Sequence, residues 1–317
     1  NFDHYIRDTK GMILPGMPRP AILGTSVPER NAADLRTRGF EFEITWRDQL
    51  SNGLKYNIGF NLADNRAFIT KYDLNPSGNI NQFYVGREIG EIWGYVTDGF
   101  YATDKEAEKV DNSKLWSGKW LAGDIRFKNL NGDKTADGKD IISWGDDTLE
   151  NPGDKKIIGN NQARYSYGIS LGADYKGFDF SMLAQGVAKR DFMLGGTYFW
   201  GFTSQWDVPT TLQTDYWKPD NPNAYYPRQR FGGGGNFQSQ TKYLQNGAYM
   251  RLKQVTLGYT LPKELTQRLK VNNLRLYVTG QNLFEFTKTI KSYDPEQSNR
   301  NEYPINRLFS LGVQIGL

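Results

Sequence analysis

In the stretch YMRLKQVTLGYTLPKEL, from Tyr249 to Leu265, every second residue from Val255 onward is large and apolar: Val255, Leu257, Tyr259 and Leu261. Between them stand Gln254, Thr256, Gly258 and Thr260, and Pro262 then ends the run. Successive side chains of a strand point to opposite faces, so this period encodes a strand with one greasy and one wet face. The same alternation recurs in GFEFEITWRD from Gly39, GLKYNIGFNLAD from Gly53, RYSYGISLGADY from Arg164, FDFSMLAQGV from Phe178, NLRLYVTGQNLFEF from Asn273 and FSLGVQIGL from Phe309. Strict period two over such lengths argues strand and not helix.

The question is what the greasy face meets. The chain has 317 residues and a mean hydropathy of −0.66, yet 14% of it is aromatic and 34 residues are Gly. No run of about 18 apolar residues exists, so no transmembrane helix is encoded. The wet face is rich in Gly, Ser, Asn and Gln, and Tyr and Phe collect near the ends of the greasy face, as in an aromatic girdle. A soluble sandwich remains the alternative on pattern alone. The connections argue against it. They alternate between short (49–53, 176–177, 262–272) and long (10–36, 67–162, 191–245, 287–305), the habit of an outer-membrane barrel with tight periplasmic turns and long external loops. Eight membrane-length strands are predicted, at about 2–9, 37–48, 54–66, 163–175, 178–190, 246–261, 272–286 and 306–317. The expected fold class is all-β, an antiparallel transmembrane β-barrel wall whose greasy face meets outer-membrane lipid.

Composition excludes several functions. Basic and acidic residues number 39 and 35, so no nucleic-acid footprint shows. Cysteine is absent and His4 is the one histidine, which leaves Ser-His-Asp catalysis and His-rich metal sites without material. No opposed pair of carboxylates on a defined cleft suggests a glycosidase. The chain is expected not to be an enzyme.

The blocks GMILPGMPRPAILG, RTRGFEFEITWRD, GDIRFKNLNGD, DYWKPDNPNAYYPR, YMRLKQVTLGYTLPKEL and LRLYVTGQNLFEFTK, followed by YDPE, resemble the C-terminal third of SusC-type TonB-dependent transporters of Bacteroidetes, in order and over essentially the whole chain. The resemblance implies a plugged barrel of about 22 strands, of which residues 1–317 supply the closing part of the wall. It also implies an N-terminal plug, a segment contacting TonB, and a SusD-like lipoprotein partner. Import of an oligosaccharide, or of a peptide, across the outer membrane is the implied function. The start NFDHYIRDTK has neither a basic n-region nor an apolar h-region and reads like the middle of a longer protein. Members of the family end in an aromatic residue, whereas this sequence ends in Leu317. A self-contained eight-stranded structural or adhesion barrel stays open as the alternative.

Two constellations stand out. NLNGDKTADGKD places Asn129, Asn131, Asp133, Thr135, Asp137 and Asp140 at the ligand offsets of an EF-hand loop, where oxygens converge on Ca²⁺. Asn at the first position, Lys134 in place of Gly, and Asp in place of Glu at the last each weaken that match, and an Asx-turn-rich loop is the competing reading. No other cofactor is expected. The loop from about 191 to 245 carries Tyr198, Trp200, Trp206, Trp217, Tyr225 and Tyr226, together with Asp207, Asp215, Asp220, Arg228 and Arg230. Aromatic faces that stack on sugar C–H surfaces, flanked by groups that bond hydroxyls, suit a glycan. Packing of the loop itself, or contact with the lipoprotein, is the competing reading. The FGGGG run at Phe231 lacks the Lys-Ser/Thr of a phosphate loop.

Overall fold

A computed structural model describes residues 1–16, 22, 24, 27–268, 270–297, 303 and 305–316. Eight long strands form one antiparallel sheet: β1 (Phe2–Pro15), β2 (Glu29–Gln49), β3 (Lys55–Tyr72), β4 (Arg164–Tyr175), β5 (Phe178–Lys189), β6 (Tyr249–Thr260), β7 (Asn273–Thr287) and β8 (Leu308–Gly316). They pair in chain order, and β1 and β8 are the edges. These are the eight strands that the alternation predicts. Leu317, the last residue of the predicted eighth strand, lies outside the described residues, as does part of the GMILPGMPRPAILG block.

Register turns the alternation of single strands into continuous rows. Trp46, Ile58, Leu171, Met182, Val255, Gly280 and Phe309 are successive cross-strand partners. One residue along runs Arg47, Asn57, Gly172, Ser181, Thr256, Thr279 and Ser310. The first row belongs to an apolar face and the second to a polar one. The polar face is knitted laterally: the Thr256 and Thr279 hydroxyls lie 2.9 Å apart, and Arg275 forks onto Asp179 at 2.8 and 2.5 Å. A Cβ on Gly172 would fall 2.5 Å from Asn57 Nδ2, so the small residue lets the asparagine lie across the sheet. Large residues of the apolar face stay open in the folded chain; Leu311 is 82% and Phe284 60% exposed. Nothing in the described chain covers them.

The two ends of the sheet differ. At one end β4 and β5 are joined by Lys176 and Gly177 alone, with φ of +48° and +88°. Positive φ at both central residues gives the twist that a two-residue hairpin needs. A second tight turn, in which Gly53 N–H donates to Leu50 O at 2.9 Å, joins β2 to β3. The predicted short link at 262–272 contains a short helix, Lys263–Arg268, started at the proline that stops β6.

At the other end the long connections fold. The predicted loops at 10–36 and 67–162 are shorter than expected, because β1 runs to Pro15, β2 begins at Glu29 and β3 runs to Tyr72. These extensions leave the period-two pattern. Ala32 and Ala33 are consecutive and both buried, which happens where protein covers both faces. Beyond them, residues 73–163 and 190–248 build a crown. Within the first, Glu91–Tyr95 pairs with Lys155–Asn160 and Thr97–Phe100 with Ile125–Phe127. Within the second, Asp191–Met193 pairs with Leu244–Asn246. The hydrophobic core of the chain lies here and not under the sheet. Tyr95, Tyr101, Trp120, Ile125, Phe127, Phe199, Trp200, Tyr226 and Tyr243 form one buried cluster drawn from both excursions. The stretch from Gly86 to Tyr101 is therefore a structural part of the crown.

No helix among the described residues is long and apolar enough to cross a membrane, which says nothing of strands.

Candidate functional site

Buried polar groups fasten the two excursions. Asp124, fully buried, accepts from Leu121 N at 2.8 Å and from Asn236 Nδ2 at 2.9 Å, and pairs with the Arg230 guanidinium. Asn236 Oδ1 in turn accepts from Ile125 N at 2.8 Å. Thr97 donates its N–H to Thr241 Oγ1 at 3.0 Å and its hydroxyl to Gln240 Oε1 at 2.9 Å. A carboxylate that is hydrogen-bonded and paired is the arrangement under which a buried charge is tolerated. Around this seam the phenols are held neutral. Burial pushes Tyr101 up to about 12, although its oxygen accepts from Asn112 Nδ2 at 3.0 Å. Burial likewise raises Tyr95, Tyr226 and Tyr243.

The candidate sugar-stacking residues fall into two groups. Trp200 and Tyr226 are in the buried cluster, their rings 4.8 and 6.2 Å from that of Tyr243. Trp217 is buried too, pressed so closely on Gly123 that a Cβ there would lie 2.3 Å from its ring. Tyr225 is part-buried in edge contact with Tyr226. The faces of these rings are covered by protein. Trp206, 83% exposed, presents its ring outward, and Tyr198, about half exposed, meets the Tyr293 ring edge to face at 5.6 Å. Trp206 follows Ser204, whose N–H, with the Thr203 hydroxyl, holds the Asp207 carboxylate. Phe202, four residues before Trp206, meets Phe231 edge to face at 5.3 Å.

The Asn129–Asp140 loop directs its oxygens into itself. Asn129 Oδ1 accepts from Gly132 N at 2.6 Å, Asn131 Oδ1 from Asp133 N at 2.9 Å, and Asp137 Oδ1 from the Thr135 hydroxyl at 2.5 Å. Lys134 lies 3.5 Å from Asp140, and Lys139 lies 3.6 Å from Asp137. Asx-turns and lysine partners thus occupy the groups that a cation would need. The described residues contain no group of three or more His, Cys, Asp or Glu that could hold a metal ion.

Three features went unforeseen in the sequence. Arg251 on β6, its side chain 3% exposed, is held by Glu285 of β7 and by Asp294 and Glu296 of the following loop. Lys253 Nζ reaches Glu296 at 2.7 Å, and Gln185 of β5 donates to the same carboxylate at 2.7 Å. A register shift between Leu183 and Ala184 opposite Gln254 and Leu252 makes Lys253 the extra residue of a β-bulge. That bulge is why charged Arg251 and Lys253 share their odd numbering with apolar Val255 and Leu257 yet serve the polar face. The tetrapeptide YDPE, Tyr293 to Glu296, was the available signal. The second feature is Lys242, whose Nζ sits 4.7 Å from the Phe100 ring centre and 5.8 Å from those of Tyr225 and Tyr243. The third is a polar cleft of about 800 Å³ where the crown meets the starts of β4 and the end of β5, lined by Arg87, Glu91, Trp93, Asn161, Gln162 and Arg190 among others.

No family model matches the chain. Its sequence is similar to "TonB-dependent receptor P3" of Formosa agariphila, 26% identical across 99% of this chain, and to "TonB-dependent receptor P26" of the same organism, 25% identical across 99%. It spans about a third (32%) of the length of each of these curated relatives. Its fold is similar to that of a chain in the RagAB peptide transporter, with a TM-score of 0.70 at 21% identity over 99% of this chain and 33% of that one. The RagAB peptide importer in its "open-open" state gives 0.72 at 20% identity over 100% and 32%. Along nearly its whole length the chain is thus similar in sequence to about a third of these TonB-dependent receptors, and in fold to about a third of a chain of RagAB, in line with the SusC-like resemblance of its sequence blocks.

Proposed function

We propose that the chain supplies barrel wall and external loops to an outer-membrane importer that is driven through TonB and takes up oligosaccharides. The observation that carries this reading is the sheet: eight strands with one continuous exposed apolar face and one polar face. An apolar face that none of the described residues covers is what a lipid-facing wall requires, and the opposite face is wet where it lines a lumen. The barrel of about 22 strands, with the remaining strands and the plug supplied from outside residues 1–317, is part of the proposal. No covalent chemistry is performed. Trp206 and Tyr198 are the side chains proposed to stack on sugar. A SusD-like lipoprotein would dock on the crown, and TonB would act on a part of the receptor outside these residues.

Peptide import is the second reading, favoured by the proteins of similar fold, the RagAB peptide transporter and the RagAB peptide importer. The test is to solubilise native outer membranes in detergent, measure the intact mass of the chain that contains this sequence, identify what co-purifies, and follow uptake of labelled oligosaccharides and peptides by cells with and without the gene. A chain about three times as long as this one, with a co-purifying lipoprotein and gene-dependent oligosaccharide uptake, is expected. A chain of 36.2 kDa alone would return the self-contained small barrel.

A further inference from the structure

We propose that the cleft between Arg87 and Arg190 binds an acidic group, a carboxylate or a sulfate ester, on the oligosaccharide that is imported. This rests on the oligosaccharide reading above and adds the charge of the substrate to it.

The two guanidiniums are fixed by neutral partners. Arg190 donates through Nε to Asn161 O at 3.2 Å and through Nη1 to Pro295 O at 3.4 Å. Arg87 donates through Nη1 to Ile80 O at 3.1 Å and Gln82 O at 2.5 Å, and through Nη2 to Glu91 O at 3.3 Å. Its Nε is buried without a hydrogen-bond partner. Among the described residues neither has a carboxylate within salt-bridge distance. Two other arginines of the crown differ: Arg126 is paired with Asp98 and Glu106, and Arg230 with Asp124. A half-buried guanidinium that is oriented but not neutralised leaves a desolvated charge that an incoming anion can satisfy, and carboxylate or sulfate oxygens match its planar fork.

The one carboxylate in the lining is already engaged. Glu91 Oε2 accepts from the Tyr84 hydroxyl at 2.5 Å and Oε1 from Glu88 N at 2.9 Å. Burial, and then the hydrogen bond to Glu91, push Tyr84 up to about 12, so the phenol stays a donor. Two other carboxylates close by are engaged elsewhere: Glu88 with Arg66 and Arg164, and Asp191 with the N–H of Asn160. The same Tyr84 hydroxyl accepts from Trp93 Nε1 at 3.2 Å, which fixes an indole in the cleft wall. A fixed aromatic ring, two amide side chains and two guanidiniums are the groups an acidic sugar needs: a surface for its C–H face, partners for hydroxyls, and a counter-charge. The volume of about 800 Å³ lies within the roughly 300–1,000 Å³ of ordinary ligand pockets.

The test uses the full-length receptor in detergent, with four probes in calorimetry: oligogalacturonate and its methyl ester, and a sulfated galactan oligomer and its desulfated form. At least one acidic probe should bind more tightly than its uncharged twin, and which one does so separates carboxylate from sulfate. Arg190→Gln should weaken that acidic probe by about 10- to 100-fold and reduce its salt dependence, with the neutral twin unchanged. Arg190→Lys should recover part of the loss, because it returns the charge without the fork. Lys114→Gln, at an exposed position elsewhere on the crown, controls for general charge and should change nothing. Equal binding of acidic and neutral probes, or an acidic preference that survives Arg190→Gln, overturns the proposal and leaves oligosaccharide import standing. Binding of none of the four overturns it as well; if peptides then bind and are taken up, the oligosaccharide reading falls with it.

Discussion

Lys242 has three aromatic rings around its ammonium and donates to Ala224 O at 3.2 Å. Burial lowers its pKa, and distant Asp215 offsets this only in part. With a folded pKa below the unfolded value of 10.5, the unfolded chain binds the proton more tightly. Stability therefore rises with pH as the solution passes through the folded pKa toward the unfolded one. The raised phenols act the other way, but only above about pH 10, where an unfolded tyrosine begins to ionise. Urea unfolding of the crown, followed by tryptophan fluorescence, should accordingly show stability climbing with pH on the alkaline side, below the unfolded lysine value of 10.5. Lys242→Met should flatten that climb; a slope that survives the substitution would mean that another group is responsible. The tryptophans divide in the same assay. Trp200→Ala empties the middle of the buried cluster and should cost about 3–5 kcal/mol. Trp206→Ala, at an exposed ring, should stay within about 0.5 kcal/mol while weakening sugar binding.

At the scale of elements, Arg251 ties β6 and β7 to the loop that follows β7. Its guanidinium meets Glu285, Asp294 and Glu296, and Lys253 shares the last of these. Arg251→Ala would leave three carboxylates facing one lysine, at a cost of about 3–5 kcal/mol typical of a broken buried pair. The sheet has its own ladders, so the loss should be local. Limited trypsin digestion should cut at Lys288 or Lys291 in the variant and spare the parent; equal resistance would mean that the loop is held by other contacts. The eight strands were legible because a half-exposed strand writes its faces into every second residue. The upper ends of β1, β2 and β3 were not, because near the crown both faces touch protein and Ala32 and Ala33 follow one another without alternation. The crown was legible only as a wealth of aromatics. Which rings stack inward, such as Trp200 and Tyr226, and which stay free, such as Trp206, depends on contacts between two excursions far apart in the chain. The same distance hid the cleft, since nothing in the sequence announces that Arg87 and Arg190 line one cleft.

Across the whole molecule, the sheet has two edges. β1 and β8 each pair on one side only, so each carries a row of backbone N–H and C=O groups without a strand partner. In water such edges invite pairing with other chains. In a bilayer, where each unsatisfied group costs several kcal/mol, an open edge is not a stable state. The exposed greasy face and the open edges are both accounted for by the proposed reading, in which the wall stands in lipid and further strands close it. Residues 1–317 refolded alone in detergent should give ladders of edge-to-edge oligomers on unheated gels. The same residues refolded within the full receptor should give one fast-migrating band that slows on boiling. A single heat-modifiable monomer from residues 1–317 alone would mean that β1 can reach β8 and that eight strands suffice. The crown would then sit over a small barrel whose interior is filled by side chains, with no passage for an oligosaccharide.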